Sequence, residues 1–306
     1  MFSKSFIKTK IKKNKWKKLK KNKNMNEEKN YKIIFSDLDE TLLVNQHVPD
    51  FNIESIKKCR EKGTKFVVAT GRSTELIQEI LQEIGTYNLE NEYSICYSGA
   101  VIIENKNNKI LHSKGLNRII SQEIIIFGNK YDVDIMVFTL KCCYFYKVKK
   151  DSFELYRKIH QKATFKIIEE LNINLINEDE EIIRIIYAKK DMEYLKEIEK
   201  DIQKLNLNKD LDIFYSSGRY MELNPKGINK GYAIKWLSNY LNIDINDTIA
   251  IGDNYNDISM IKEAGLGVCV SSAENDVKKI CKYICKKDYF EGAVKELIEK
   301  FILKIP

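Results

Sequence analysis

The sequence predicts an α/β fold, a parallel-sheet domain with a second, α+β unit inserted into it, and three observations carry that prediction. Short apolar runs alternate with helical segments at both ends of the chain, which is the signature of strands paired in parallel. The middle instead interleaves strand-like runs with two longer helical stretches. Polar clusters fall where three of the apolar runs stop, and in open α/β sheets ligands bind outside the carboxyl ends of the strands.

In chain order, "KIIFSDL" is a continuous apolar run suited to a strand buried on both faces, and "IESIKKCREKG" follows as a helix that ends at Gly63. "KFVVATGRS" repeats the design, leading into the helix "TELIQEILQEIG". A short hairpin is expected at "VIIENKNNKILHS". From Leu116 to Met221, the helical stretches "RIISQEIIIFGNKY" and "DMEYLKEIEKDIQKL" alternate with "VDIMVFTL", "CCYFYKVK", "EIIRIIYAK" and "LDIFYSS", which predicts a sheet covered by helices on one side. The helix "NKGYAIKWLSNYL" then leads into the strand of "DTIAIGDNYND". The predicted organisation is a basic tail over 1–30, a first core part over 31–115, an inserted unit over 116–221 and a second core part over 222–306.

The chain has 306 residues and 43% hydrophobic content, enough for sizeable cores. Its seven cysteines include no CxxC pair and no zinc-type spacing, which points to a reduced, cytoplasmic setting in which Cys142, Cys143, Cys281 and Cys285 are small apolar fillers. The net charge of +8 is uneven: of 52 basic residues, eleven lysines lie in residues 1–24, which hold no acid, so the rest carries 41 basic against 44 acidic residues. That tail reads as a solvated extension, and no nucleic-acid binding is expected of the globular part. It lacks the apolar core and cleavage site of a secretory signal, and no run of eighteen apolar residues exists to span a membrane.

Asp37 and Asp39, Thr70-Gly71-Arg72, and Asp253, Asn256 and Asp257 are the polar clusters at the strand ends. Several carboxylates in one crevice are costly unless a cation neutralises them, and a few-carboxylate oxygen site suits Mg²⁺. Thr70 supplies a hydroxyl and Gly71 lets a backbone N–H approach an anion. Lys230 sits in the first turn of its helix, where the dipole disfavours a cation, so an anion is expected beside it. Asp37 can attack phosphorus, and Asp39 can protonate the leaving oxygen and then activate water, provided the strand curls after Asp37.

These segments resemble the four motifs of the haloacid dehalogenase-like superfamily: "DLDETL", "VVATGR", "KGINKG" and "IGDNYNDISMI". Together with "YSGAVI" and the large insertion, the order is similar to that of Cof-type phosphatases with the larger α/β cap. The resemblance implies a Rossmann-like core with an inserted α+β cap, and a Mg²⁺-dependent phosphomonoester hydrolase working through an aspartyl-phosphate on a small phosphorylated metabolite such as a sugar phosphate. It implies Asp37 as nucleophile and Asp39 as acid/base, with metal held by Asp37, the Asp39 carbonyl and Asp253, and with Asp257 either a further ligand or the residue just behind them. Phosphate contacts fall to Thr70, Gly71, Lys230 and Asn256, while Arg72 braces the loop or meets substrate. Glu40 stands where glycine is usual, Ser98 where asparagine is usual, and Ser272 likewise replaces an asparagine.

Two other functions fit the same residues. A phosphosugar mutase or phosphotransferase would isomerise without releasing phosphate. A binding protein with vestigial catalytic residues would act through its lysine tail. His47, His112 and His160 are scattered and suit no base or ligand role. Arg184, on a strand rich in isoleucine, is either a substrate-gripping cation or edge-strand polarity, and the second is the simpler reading.

Overall fold

The computed structural model describes residues 29–159, 164–170, 172–216 and 218–305, so residues 1–28, which hold nearly all of the lysine tail, and His160 lie outside the described residues. The first third builds β1 (Ile33–Ser36), α1 (Asp50–Glu61), β2 (Lys65–Ala69), α2 (Gln78–Glu83), β3 (Tyr93–Cys96) and the hairpin β4 (Val101–Glu104) and β5 (Lys109–Ser113). The middle builds α3 (Arg118–Gly128), β6 (Asp134–Thr139), β7 (Cys143–Lys147), α4 (Lys150–Ile159), β8 (Phe165–Ile167), β9 (Ile182–Ala188), α5 (Met192–Lys204), β10 (Leu211–Ser216) and β11 (Tyr220–Pro225). The last third adds α6 (Lys230–Tyr240), β12 (Thr248–Gly252), α7 (Ile258–Glu263), β13 (Leu266–Cys269), α8 (Asn275–Ile280), β14 (Tyr283–Ile284) and α9 (Ala293–Ile298).

Two sheets result. The eight-stranded one runs β14-β13-β12-β1-β2-β3-β4-β5, parallel up to β3, with the β4–β5 hairpin added antiparallel. Every residue of β1 is buried, as its continuous apolar run requires when neighbours flank it and helices cover both faces. β1 pairs with β2 on one side and β12 on the other, so chain order reverses at β1 and a crevice opens at the carboxyl ends of these strands.

The six-stranded sheet, β10-β11-β9-β6-β7-β8, is built from the middle of the chain, and it runs past the expected boundary at Met221 to Pro225, because β11 pairs with both β10 and β9. Asn117 and Asp191 cap α3 and α5 through their side chains, and both helices pack on one face over Val137, Tyr187 and Leu223. A single covered face was expected, but α4 lies on the other: Phe153 and Tyr156 meet Phe145 edge-on with ring centroids 5.2 and 5.1 Å apart. The reason is topological, because β7 and β8 are parallel and parallel neighbours need a crossover between them. Arg184 is another departure, since β9 lies between β11 and β6 and the arginine is central and buried. No helix among the described residues is long and apolar enough to cross a membrane.

After β3, Tyr97, Ser98 and Gly99 are all left-handed, with φ of 50, 55 and 104°. This turn presses the chain against the start of α6: a Cβ on Gly99 would lie 2.2 Å from the Asn229 carbonyl oxygen. Gly99→Ala is therefore expected to cost roughly 2–4 kcal/mol, combining backbone strain with a clash against main chain. A urea midpoint that falls at unchanged m-value checks it; no shift would mean that the turn moves freely away from α6.

Candidate active site

Asp37 is the first residue beyond β1, and its N–H still donates to the Ile251 carbonyl at 3.0 Å, so the sheet fixes its backbone while its side chain is buried. The chain then curls as expected. The Leu38 carbonyl accepts from the N–H groups of Thr41, Leu42 and Leu43, and Glu40 takes the left-handed conformation with φ 56°. The curl leaves Asp39 on the rim, its side chain 53% exposed, where Arg72 grips both carboxylate oxygens and also donates to Gln46 Oε1 at 2.6 Å. Arg72 thus braces the loop.

Lys230 is the first residue of α6, whose cap is Asn229 accepting from Tyr232 N–H at 2.9 Å. Its side chain is fully buried and its ammonium donates to Asp37 Oδ1 and, at 2.6 Å, to Asp257 Oδ1. The anions beside this lysine are therefore two carboxylates. Asp257 turns its other oxygen to the N–H groups of Asp253 and Asn254, at 3.0 and 3.2 Å. Gly252 makes room for this, because a Cβ there would lie 2.4 Å from the Asp257 carboxyl carbon. Asp253 is held by Thr41, whose hydroxyl donates to Oδ1 at 2.8 Å.

The electrostatics follow from this packing. Burial, then the Asp257 charge, push the Asp37 carboxyl well above the usual carboxylate range against the pull of Lys230. The same two causes push Asp253 up to about 7, with Thr41 and Lys230 opposing. Burial alone would pull Lys230 down, yet Asp257 and Asp37 hold it above the ordinary lysine value, so it remains a cation. Asp37, Asp253 and Asp257 each offer an oxygen within 4.8 Å of the others, and one lysine does not neutralise all three. Hard carboxylate oxygens with surplus negative charge suit a hard divalent cation.

Thr70 and Gly71 extend β2 beside this cluster. Thr70 is buried and its hydroxyl accepts from Arg72 N–H at 3.1 Å, while Gly71 faces the Ser98 hydroxyl. Asn256 lies half-buried in the turn Tyr255–Asp257 that precedes α7. The structure thus gathers Asp37, Asp253, Asp257 and Lys230 into one bonded network; Asp39 sits at its rim, with Thr70, Gly71 and Asn256 on the loops around it. Thr41 lies inside the segment "DLDETL" with nothing in the sequence to mark its bond to Asp253, and nothing there signals the double engagement of Asp257.

A family described as haloacid dehalogenase-like hydrolase matches residues 34–297, nearly all of the described chain. The chain belongs to that family. Among its relatives, 5-amino-6-(5-phospho-D-ribitylamino)uracil phosphatase YcsE of Bacillus subtilis is 28% identical over 89% of this chain and 96% of its own. The phosphoglycolate phosphatase of Methanobrevibacter smithii is 40% identical over 35% of this chain and 45% of its own. A haloacid dehalogenase-like hydrolase from Bacteroides thetaiotaomicron shares the fold with a TM-score of 0.77 and 25% identity, over 88% of this chain and 98% of that one.

Two departures of this haloacid dehalogenase-like hydrolase from the expected motifs have a common conformational meaning. Glu40 and Ser98 occupy left-handed positions where glycine and asparagine fit with less strain. Asp257→Ala is expected to cost about 3–5 kcal/mol in unfolding free energy, because it strips a counter-charge from a fully buried lysine and the acceptor from two loop amides. Denaturant unfolding measures this; a loss below about 1 kcal/mol, typical of an exposed pair, would mean that the lysine is not sealed from water.

Proposed function

We propose that the protein is a Mg²⁺-dependent phosphomonoester hydrolase acting on a small phosphorylated metabolite, such as a sugar phosphate, with the inserted unit, expected over 116–221 and extended by β11 to Pro225, as a cap over a core formed by 31–115 and the residues after β11. The observation that carries this reading is the ion pair between Asp37, at the end of the central strand, and the fully buried Lys230. A lysine sealed beside the proposed nucleophile can meet phosphoryl oxygens without reorganising. The names of the Bacillus subtilis and Methanobrevibacter smithii relatives, both phosphatases of small phosphorylated compounds, support the same substrate class.

In this reading an Asp37 carboxylate oxygen attacks phosphorus, the P–O bond to the leaving group breaks, and Asp39 gives its proton to the departing oxygen. The leaving alcohol departs, and the phosphoryl group rests on Asp37. Asp39 then takes a proton from water, whose oxygen attacks phosphorus and frees Asp37 and inorganic phosphate. Thr70, Gly71 through its N–H, Asn256 and Lys230 would hold the phosphoryl oxygens. Asp37 and Asp253, with the Asp39 carbonyl, would hold Mg²⁺, and Asp257 would steady them from behind. When bound, Mg²⁺ would supply charge neutralisation to the phosphoryl oxygens.

Free phosphate release from a panel of metabolite esters tests the proposal and separates hydrolysis from isomerisation. Release is expected to stop on chelation with EDTA and return with excess Mg²⁺. Asp37→Asn is expected to lower kcat on the order of 10³-fold or more, since removing a nucleophile removes the whole covalent route. Equal release by Asp37→Asn and the wild type would remove Asp37 from the mechanism.

A further inference from the structure

The inserted sheet turns one face toward the parallel-sheet unit, and that face carries buried polar groups the proposed chemistry does not use. Arg184 on β9 and Glu222 on β11 are each 8% exposed, and Asn224, two residues beyond Glu222, is 1% exposed. Arg184 Nη1 donates to Glu222 Oε2 at 3.0 Å and the Ser216 hydroxyl donates to Oε1 at 2.6 Å, so Glu222 is satisfied at both oxygens. Arg184 Nε and both Asn224 side-chain atoms, Nδ2 and Oδ1, meet no partner among the described residues.

These atoms lie together and near the candidate active site. β9 and β11 are antiparallel with Leu223 opposite Ile185, so one further step sets Asn224 opposite Arg184. The guanidinium lies 4.8 Å from the Phe138 ring centroid and 5.3 Å from that of Tyr97. Tyr97 belongs to the left-handed turn after β3, and the next residue, Ser98, places its hydroxyl 3.3 Å from where a Cβ on Gly71 would stand. One aromatic ring therefore separates Arg184 from the loop assigned to phosphate.

We propose that Arg184 and Asn224 form the leaving-group subsite and recognise a neutral, hydroxyl-rich group, a sugar or polyol; this rests on the hydrolase reading above. A buried polar group without a partner costs free energy comparable to a lost hydrogen bond, and such groups are rare in native interiors. Here they cluster on one face and supply both donors, Arg184 Nε–H and Asn224 Nδ2–H, and an acceptor, Asn224 Oδ1. Hydroxyls, which donate and accept, match that mixture. Glu222 already cancels the arginine charge, so a second anionic group would gain no free cation and would face two acceptor groups. A bare alkyl or aryl group would satisfy none of the three atoms.

Phosphate release from D-ribitol 5-phosphate, D-ribose 5-phosphate and D-glucose 6-phosphate is compared with release from p-nitrophenyl phosphate, which has no hydroxyls. Arg184→Lys keeps a cation for Glu222 but removes the Nε–H, and Asn224→Leu removes both unpartnered amide atoms at similar volume. Each is expected to lower the ratio of kcat/KM for the best hydroxyl-rich ester to that for p-nitrophenyl phosphate by about ten-fold or more, mainly through KM. Asn224→Leu is also expected to raise Tm by about 2–4 °C, a readout independent of turnover. A ratio unchanged within about two-fold of wild type, or a lower Tm for Asn224→Leu, would overturn the subsite. If the wild type releases phosphate from none of these esters, the hydrolase reading falls and the subsite with it. Release from p-nitrophenyl phosphate with an unaltered ratio defeats the subsite alone.

Discussion

A single buried cation holds this fold's functional end together. Lys230 has no contact with solvent, and moving an ammonium out of water costs several kcal/mol unless its partners are close and well aligned. Those partners come from distant parts of the chain: Asp37 lies 193 residues before it and Asp257 lies 27 residues after it. The parallel sheet makes the meeting possible, because β1 and β12 are neighbours and end at the same edge. The lysine in turn dictates tight local packing. Gly99 lets the turn after β3 lie against the main chain at the start of α6, and Gly252 leaves space for the Asp257 carboxylate under the β12 loop. Remove the cation, and three carboxylates that approach within 4.8 Å would repel with only Thr41 and loop amides to hold them.

Much of this was legible because it rests on chemistry that a linear sequence displays. Two aspartates after "IIF" and an acidic run after "IAIG" are expensive at the ends of buried strands, and an expensive feature points to a partner. The strands β1, β2 and β12 announced themselves as continuous apolar runs, since burial on both faces erases alternation. Other elements were invisible for equally physical reasons. β8 has only three residues, two of them exposed, so it carries no period to read. β11 was taken for the return to the core, because its Pro225 and the glycine after it look like a break. Nothing in the sequence shows that Asp39 is clasped by Arg72, since that bond depends on a curl held by the Leu38 carbonyl. Arg184 read as an edge residue because isoleucine-rich strands seldom tolerate a central arginine; Glu222, on a strand then unrecognised, is what permits it.

The two polar clusters solve the problem of buried polarity in opposite ways. Around Lys230 the bonding is dense: the buried ammonium has two carboxylates, and Asp257 uses both of its oxygens. Such bonding gives rigidity, and rigidity is what pre-organised electrostatics require. On the inserted sheet, Glu222 is matched but Arg184 Nε and the Asn224 amide are left short. Both clusters sit in cores packed well enough that a leucine at Asn224 would be the cheaper choice for stability alone. A fold that pairs buried charges in one network and leaves unpartnered polar atoms in the neighbouring one separates two tasks. Chemistry common to the family needs fixed charges on the parallel sheet, whereas discrimination among esters needs vacant hydrogen-bonding capacity on the inserted one. The second can then change by substitutions on β9 and β11 without disturbing the lysine on which the first depends.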